Sequence, residues 1–240
     1  MMPVLGTDGT PDVLATYERA KSNLFRVQER RRAGADVYEE AADVLEDIFR
    51  DFAWMWEHSL DYRLSMVGVR SSFMLSRFEE LSKLYPPALE YLERQIEVLE
   101  HRLADGELTR LQVFDLNTLC CRFKAPARMA GHMRLLQSTQ PELAAEVGFK
   151  MWSTWIDAED WELFRTYPRA PEDEIAFVEM FKERLAKRGE QETDALYAER
   201  LEVSYRGLNE RLDKAQRAYL LAGLPELGEE FARLRQERGL

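Results

Sequence analysis

Apolar positions along the chain recur in steps of three and four, the spacing that lines one face of an α-helix. Val13, Tyr17, Ala20, Leu24 and Val27 form the first such seam. A second runs through Ala41, Leu45, Ile48, Phe52 and Met55, and Tyr62 and Met66 continue it beyond polar Ser59. Leu89, Leu92, Ile96, Leu99 and Leu103 step 3-4-3-4, while Leu201, Tyr205, Leu208, Leu212, Ala215 and Tyr219 step 4-3-4-3-4. No segment alternates with the period of two that a half-buried strand needs. The seams predict an all-α chain, a bundle of about ten helices, several of them long and packed at shallow angles.

Punctuation residues set the expected boundaries. Thr10 before Pro11 reads as an N-cap followed by an N1 proline, and Gly34 closes that first helix. The second helix is expected from Asp36 to Met66, roughly 45 Å long. Gly68 bends or ends it, and Ser71 to Leu84 forms a third. The "YPP" at 85–87 stops the chain, because proline cannot continue a helix. After the Leu89–Leu103 helix, which Gly106 closes, come Leu108 to Phe123 and Ala127 to Gln137, divided at Pro126. Pro141 then opens a helix expected to reach Tyr167. The proline-interrupted acidic stretch "TYPRAPEDE" suggests a division into a main bundle, 1–167, and a C-terminal helical hairpin, 168–240, packed on it. Helices from Glu172 to Lys187, from Glu192 onward and from Pro225 complete the chain.

Composition narrows the function. The 240 residues include 44 acidic and 33 basic ones, for a net charge of -11. That excludes a broad basic face for sequence-independent nucleic-acid binding. The opening "MMPVLGTDGTPDV" lacks the basic start and apolar run of a secretion signal. The most lipid-like stretch, "LSMVGVRSSFML", is short and carries Arg70, so no membrane span is expected. The only cysteines, Cys120 and Cys121, are neighbours, and two free thiols in a reducing cytoplasm is the simpler expectation.

One segment stands apart in charge. Leu116 to Pro141 contains four cations and no carboxylate. Pro126 is placed to start a helix whose free N–H groups favour an anion, with Arg122, Lys124 and Arg128 near that turn. Arg128 and His132 are four apart and share a face, opposite a stripe of Met129, Met133 and Leu136. The preceding helix, "LQVFDLNTLCCRF", is apolar on nearly all sides and is expected to be central and buried. Asp115, Asn117 and Thr118 interrupt it, either as a hydrogen-bond network or as the floor of a polar pocket. A ligand site here would be built from Asp115, Asn117, Arg122, Lys124, Arg128 and His132. The preferred expectation is docking onto an acidic element, such as "DAEDWE" at 157–162 or the "PEDE" connector.

The second helix carries two acidic rows. Glu39, Asp43 and Glu46 lie opposite the seam, on a solvated face, while Asp36, Glu40, Asp47 and Asp51 line one flank with Trp54 and His58. Di-metal bundles need Glu-x-x-His, but the residues three before His58, His101 and His132 are Met55, Val98 and Met129. Salt bridges to Arg-rich helices are expected instead, with no metal and no cofactor. Trp54, Trp56, Trp155 and Trp161 cannot all lie on the core seams, which makes them candidates for a partner-binding patch.

Two short resemblances are present. Arg94-x6-His101 resembles the Arg-x(4–6)-His signature of HEPN ribonucleases, which are themselves helical bundles. With 26 arginines and three histidines, about one such match arises by chance. "LGEEFARLRQERGL" resembles the first helix of the lambda-repressor-like helix-turn-helix, without the recognition helix that would enter a major groove. The expected function is therefore a non-catalytic helical interaction protein, a scaffold, adaptor or assembly subunit that binds a protein partner or itself. The alternative is an anion-binding or enzymatic bundle with a polar site around 115–134, including a HEPN-like ribonuclease.

Overall fold

The computed structural model describes residues 3–36, 41–187 and 193–240. Glu39 and Glu40, part of the acidic rows above, lie outside the described residues, as does the expected start of a helix at Glu192. The described residues are 81% helical, with ten helices of seven residues or longer and no strands among them. The chain falls into two compact units, Met1–Leu99 and Glu100–Leu240. The acidic connector around 167–174 lies inside the second unit.

In the first unit, α1 (Val13–Arg32) buries the whole predicted seam: Val13, Tyr17, Ala20, Leu24 and Val27. Its N-cap is Asp12 rather than Thr10, since the Asp12 carboxylate accepts from the Ala15 amide at 3.0 Å. The Thr10 amide and hydroxyl are held instead by Asp8. Gly34 ends the helix in the left-handed region, φ +91°, where a side chain would be strained. α2 (Ala42–Tyr62) buries Leu45, Ile48, Phe52 and Met55 as its seam predicts. It stops four residues before Met66, because Arg63 turns extended (φ −152°, ψ 93°). A 3₁₀ turn at Leu64–Met66 and a π-helical turn at Arg70–Met74 lead into α3 (Leu75–Ser82). Phe52, Phe78 and Tyr91 stack with centroids 5.5–5.7 Å apart, and Phe49 packs edge-on to Phe78 and Tyr91. Phe52 and Phe78 are 0% exposed, and a fully buried large side chain stabilises by about 1.5–3 kcal/mol.

α4 (Pro86–Ala104) buries Leu92, Ile96, Leu99 and Leu103, but at its start Ala88 and Tyr91 face inward and Leu89 is exposed. In the second unit, α5 (Arg110–Arg122) opens with a reciprocal cap between Thr109 and Gln112. It buries one stripe, Val113, Leu116, Leu119 and Cys120, with Leu111 exposed, so it is a one-faced helix and not the fully buried one expected. α6 (Pro126–Thr139) takes Pro126 at its first turn and buries Met129, Met133 and Leu136.

The helix expected from Pro141 to Tyr167 is broken into pieces. α7 (Pro141–Gly148) gives way to a 3₁₀ turn, then short helices at Trp152–Asp157 and Trp161–Thr166. The second break sits at Glu159, φ +53°, after which Asp160 caps the next turn through the Leu163 amide. α8 (Pro171–Leu185) and α9 (Asp194–Leu221) contact each other, and α10 (Pro225–Glu237) packs against both. Of the α9 seam, Leu208, Leu212, Ala215 and Tyr219 are buried, whereas Leu201 and Tyr205 are only half-buried. Phe231 of α10, the helix resembling the start of a helix-turn-helix, packs on Tyr219 with centroids 5.7 Å apart.

Candidate functional site

The basic segment is held by acidic residues on two sides. Arg128 and His132, one turn apart on α6, both reach Glu100 near the end of α4. Arg128 Nε donates to Glu100 Oε1 at 2.7 Å, and His132 Nε2 lies 2.9 Å from the same oxygen without a directed hydrogen bond. Burial holds the His132 pKa below its ordinary value, opposed by the Glu100 charge and reinforced by Arg128. Further along α6, Arg134 pairs with Asp160 at 2.6 Å and with Glu162 at 3.6 Å, both in the "DAEDWE" stretch.

Asn117 belongs to a separate cluster. Its Oδ1 accepts from the Thr154 hydroxyl at 2.8 Å, and the Cys121 thiol lies 3.6 Å from that hydroxyl. Thr118 donates to the Phe114 carbonyl of its own helix. Asp115 is half-buried and Arg122 and Lys124 are exposed, with Lys124 in the left-handed region, φ 53°. The six candidate ligand residues thus divide. Arg128 and His132 converge on Glu100, and Asn117 turns to Thr154.

The thiols offer little nucleophilic chemistry. Burial pushes Cys120 up to about 12. Burial also raises Cys121, against the lowering effect of the Thr154 hydrogen bond. Both stay protonated at neutral pH, the unreactive form. Arg94 and His101, the pair resembling a ribonuclease signature, are both exposed on α4.

Two of the four candidate tryptophans belong to the core. Trp155 is 0% exposed and donates its indole N–H to the Gly148 carbonyl at 3.0 Å. Trp56 is buried beneath the Arg70 guanidinium, 4.4 Å from its ring centroid. Neither can anchor a partner, because neither presents its face to solvent. Trp54 is half-buried against Tyr62, and Trp161 is half-buried beside the Asp160 cap.

The sequence pattern did not reveal how deeply two paired carboxylates are buried, although a salt bridge was expected for one of them, Asp51. Glu174, with 1% of its side chain exposed, is gripped by Arg211 Nε and Nη2 and by Arg169 Nη1, 3.1 Å away. Both guanidiniums lie between Trp152 and Phe177, with Arg211 4.9 and 4.6 Å from their centroids. Arg211 also borders a cavity of about 310 Å³ with Lys214, Asp157 and Glu210. In the first unit, Asp51 is buried and accepts two bonds from Arg19, at 2.6 and 2.9 Å. The signal for both was a carboxylate lying at or beside an apolar seam. No family model, curated protein or solved structure matches the chain.

Proposed function

We propose that the protein is a non-catalytic helical interaction protein, a scaffold, adaptor or assembly subunit that works through helix faces and binds a protein partner or a second copy. The observation that carries this is a run of large apolar side chains left at the surface between α2 and α3. Leu64 is 74% exposed and Phe73 69%, with Tyr62 and Val67 also exposed in the same stretch. Apolar side chains gathered like this on a surface mark interaction sites. No helix among the described residues is long and apolar enough to cross a membrane, so a bilayer core is a poor fit for them. Two free thiols fit a reducing compartment, which extends the proposal to the cytoplasm.

The alternative, an anion-binding or enzymatic bundle around 115–134, has less support. Arg128, His132 and Arg134 are already engaged by Glu100, Asp160 and Glu162. Light scattering and pull-down with the wild type and with Leu64→Asp/Phe73→Asp test the proposal. Assembly or capture that the double variant abolishes is the expected result, and a lone monomer with no partner would remove the proposal.

A further inference from the structure

The first unit is acidic overall, with 18 carboxylates and 12 cations in residues 1–99, yet its cations are not evenly spread. α1 ends on Glu29-Arg30-Arg31-Arg32, where the negative end of the helix dipole favours positive charge. Lys21, Phe25, Gln28 and Arg32 step 4-3-4 along α1 and therefore share one face. That face borders α3. Gln28 Nε2 donates to Glu80 at 3.1 Å, and Glu80 is also held by Arg77 at 2.7 Å.

Two adjoining depressions of about 440 and 400 Å³ follow this seam and meet at Gln28. Their walls carry Lys21, Arg26, Arg31, Arg32, Arg77 and Lys83, half of the unit's cations. Only two of its 18 carboxylates, Glu29 and Glu80, join them. Phe25 stands 54% exposed among these charges. Arg26, Arg31 and Arg32 have no ion-pair partner among the described residues. The ion pairs of Lys21 and Lys83 are one-turn contacts with exposed Glu18 and half-buried Glu79, which contribute little and are readily exchanged, and Lys21 also lies 5.6 Å from the Tyr17 ring centroid.

We infer that the groove between α1 and α3 docks an acidic amphipathic helix of a partner protein, with carboxylates on the arginines and an apolar side chain over Phe25. This rests on the interaction-protein proposal and narrows it to one surface and one partner chemistry. From Lys21 to Arg32 the face runs about 17 Å, three turns of helix. A nucleic acid fits less well. A polyanion longer than the groove runs onto an acidic surface, and Phe25 is a single aromatic where strand binding uses several stacking platforms.

The test uses the full-length protein and a fluorescent, helix-forming peptide of about 14 residues, with leucines on one face and glutamates on both flanks. A glutamine-for-glutamate peptide and a single-stranded oligonucleotide of equal charge are the controls. The glutamate peptide should bind, the glutamine peptide should not, and added salt should weaken binding. Arg31→Glu/Arg32→Glu and, separately, Phe25→Ser should each weaken binding about tenfold or more. Circular dichroism melts identify variants that remain folded. Unchanged affinity in both folded variants, tighter binding of the oligonucleotide, or no peptide binding at about 1 mM would overturn the inference. Self-association that Arg31→Glu/Arg32→Glu abolishes would make a second copy the occupant and would also overturn it. If the peptide fails while Leu64→Asp/Phe73→Asp still disrupts assembly, the groove falls and the interaction proposal stands.

Discussion

The ring of Tyr167 lies over Gly148 so closely that a Cβ on Gly148 would sit 2.5 Å from Tyr167 Cγ. Gly148 has ordinary helical dihedrals, φ −57° and ψ −43°, so space and not backbone freedom demands glycine here. Tyr167 is itself held, since its hydroxyl accepts from Gln137 Nε2 at 3.1 Å. Gly148→Ala should destabilise the protein by about 1–3 kcal/mol, the range for overpacking a core. Urea denaturation measures it. Tyr167→Ala in the same chain should relieve part of the clash, so the double variant should be more stable than the sum of the single effects predicts.

Glu174 neutralises two guanidiniums in a site it alone fully enters. Glu174→Met should cost about 3–5 kcal/mol, because Arg169 and Arg211 are left facing each other with no counter-charge. Replacing Glu174 and Arg211 together with methionines should cost much less than that single change. Denaturant midpoints of the four chains of this double-mutant cycle check it, and equal losses in single and double variants would contradict the account.

His132 gives acid sensitivity of a definite sign. Its pKa is held below the usual 6.5, first by burial and then by the Arg128 charge, with Glu100 opposing. The folded state therefore binds fewer protons than the unfolded chain just below pH 6.5, and stability falls as the pH drops toward the folded value. Above about pH 6.5 this contribution is fully present. His132→Gln should flatten that part of the stability–pH curve relative to the wild type, as thermal melts across pH 5–7.5 or so would measure.

Arg128→Glu places two carboxylates together at Glu100. Arg128 is exposed and Glu100 half-buried, so the cost should be modest, about 0–1 kcal/mol. Melting temperatures with and without phosphate, nucleotides and organic acids separate this structural role from ligand binding. A rise in the wild type that vanishes in Arg128→Glu would favour an anion site over internal pairing.

Local periodicity made much of the fold legible. The α1 seam and Leu45, Ile48, Phe52 and Met55 of α2 are buried where the three-four steps put them, because a helix facing one neighbour has one apolar stripe. The breaks were harder to read. Nothing near Arg63 in the sequence stops a helix, and the piece from Pro141 to Tyr167 is interrupted at Glu159 without proline or glycine. The candidate site was legible by halves. The spacing of Arg128 and His132 fixes their shared face, but their partner Glu100 lies 28 and 32 residues away, beyond any helical period. Glu174 looked like a connector charge for the same reason, since Arg211 is 37 residues distant, and Asp51, expected to pair with an Arg-rich helix, has its partner Arg19 32 residues away.

α9 is a single helix of 28 residues, yet none of its residues before Leu208 is buried. In its first half Tyr197 donates to the Ala186 carbonyl at the far end of α8 and Arg200 to those of Leu185 and Lys187, while Tyr205 lies beneath the Lys182 ammonium. Little apolar burial therefore opposes its unwinding, while the half from Leu208 onward shares the core with Tyr219 and Phe231. Amide protons of one continuous helix thus divide into two exchange classes. The early turns open as a local unit, and the later turns exchange only when the surrounding core gives way.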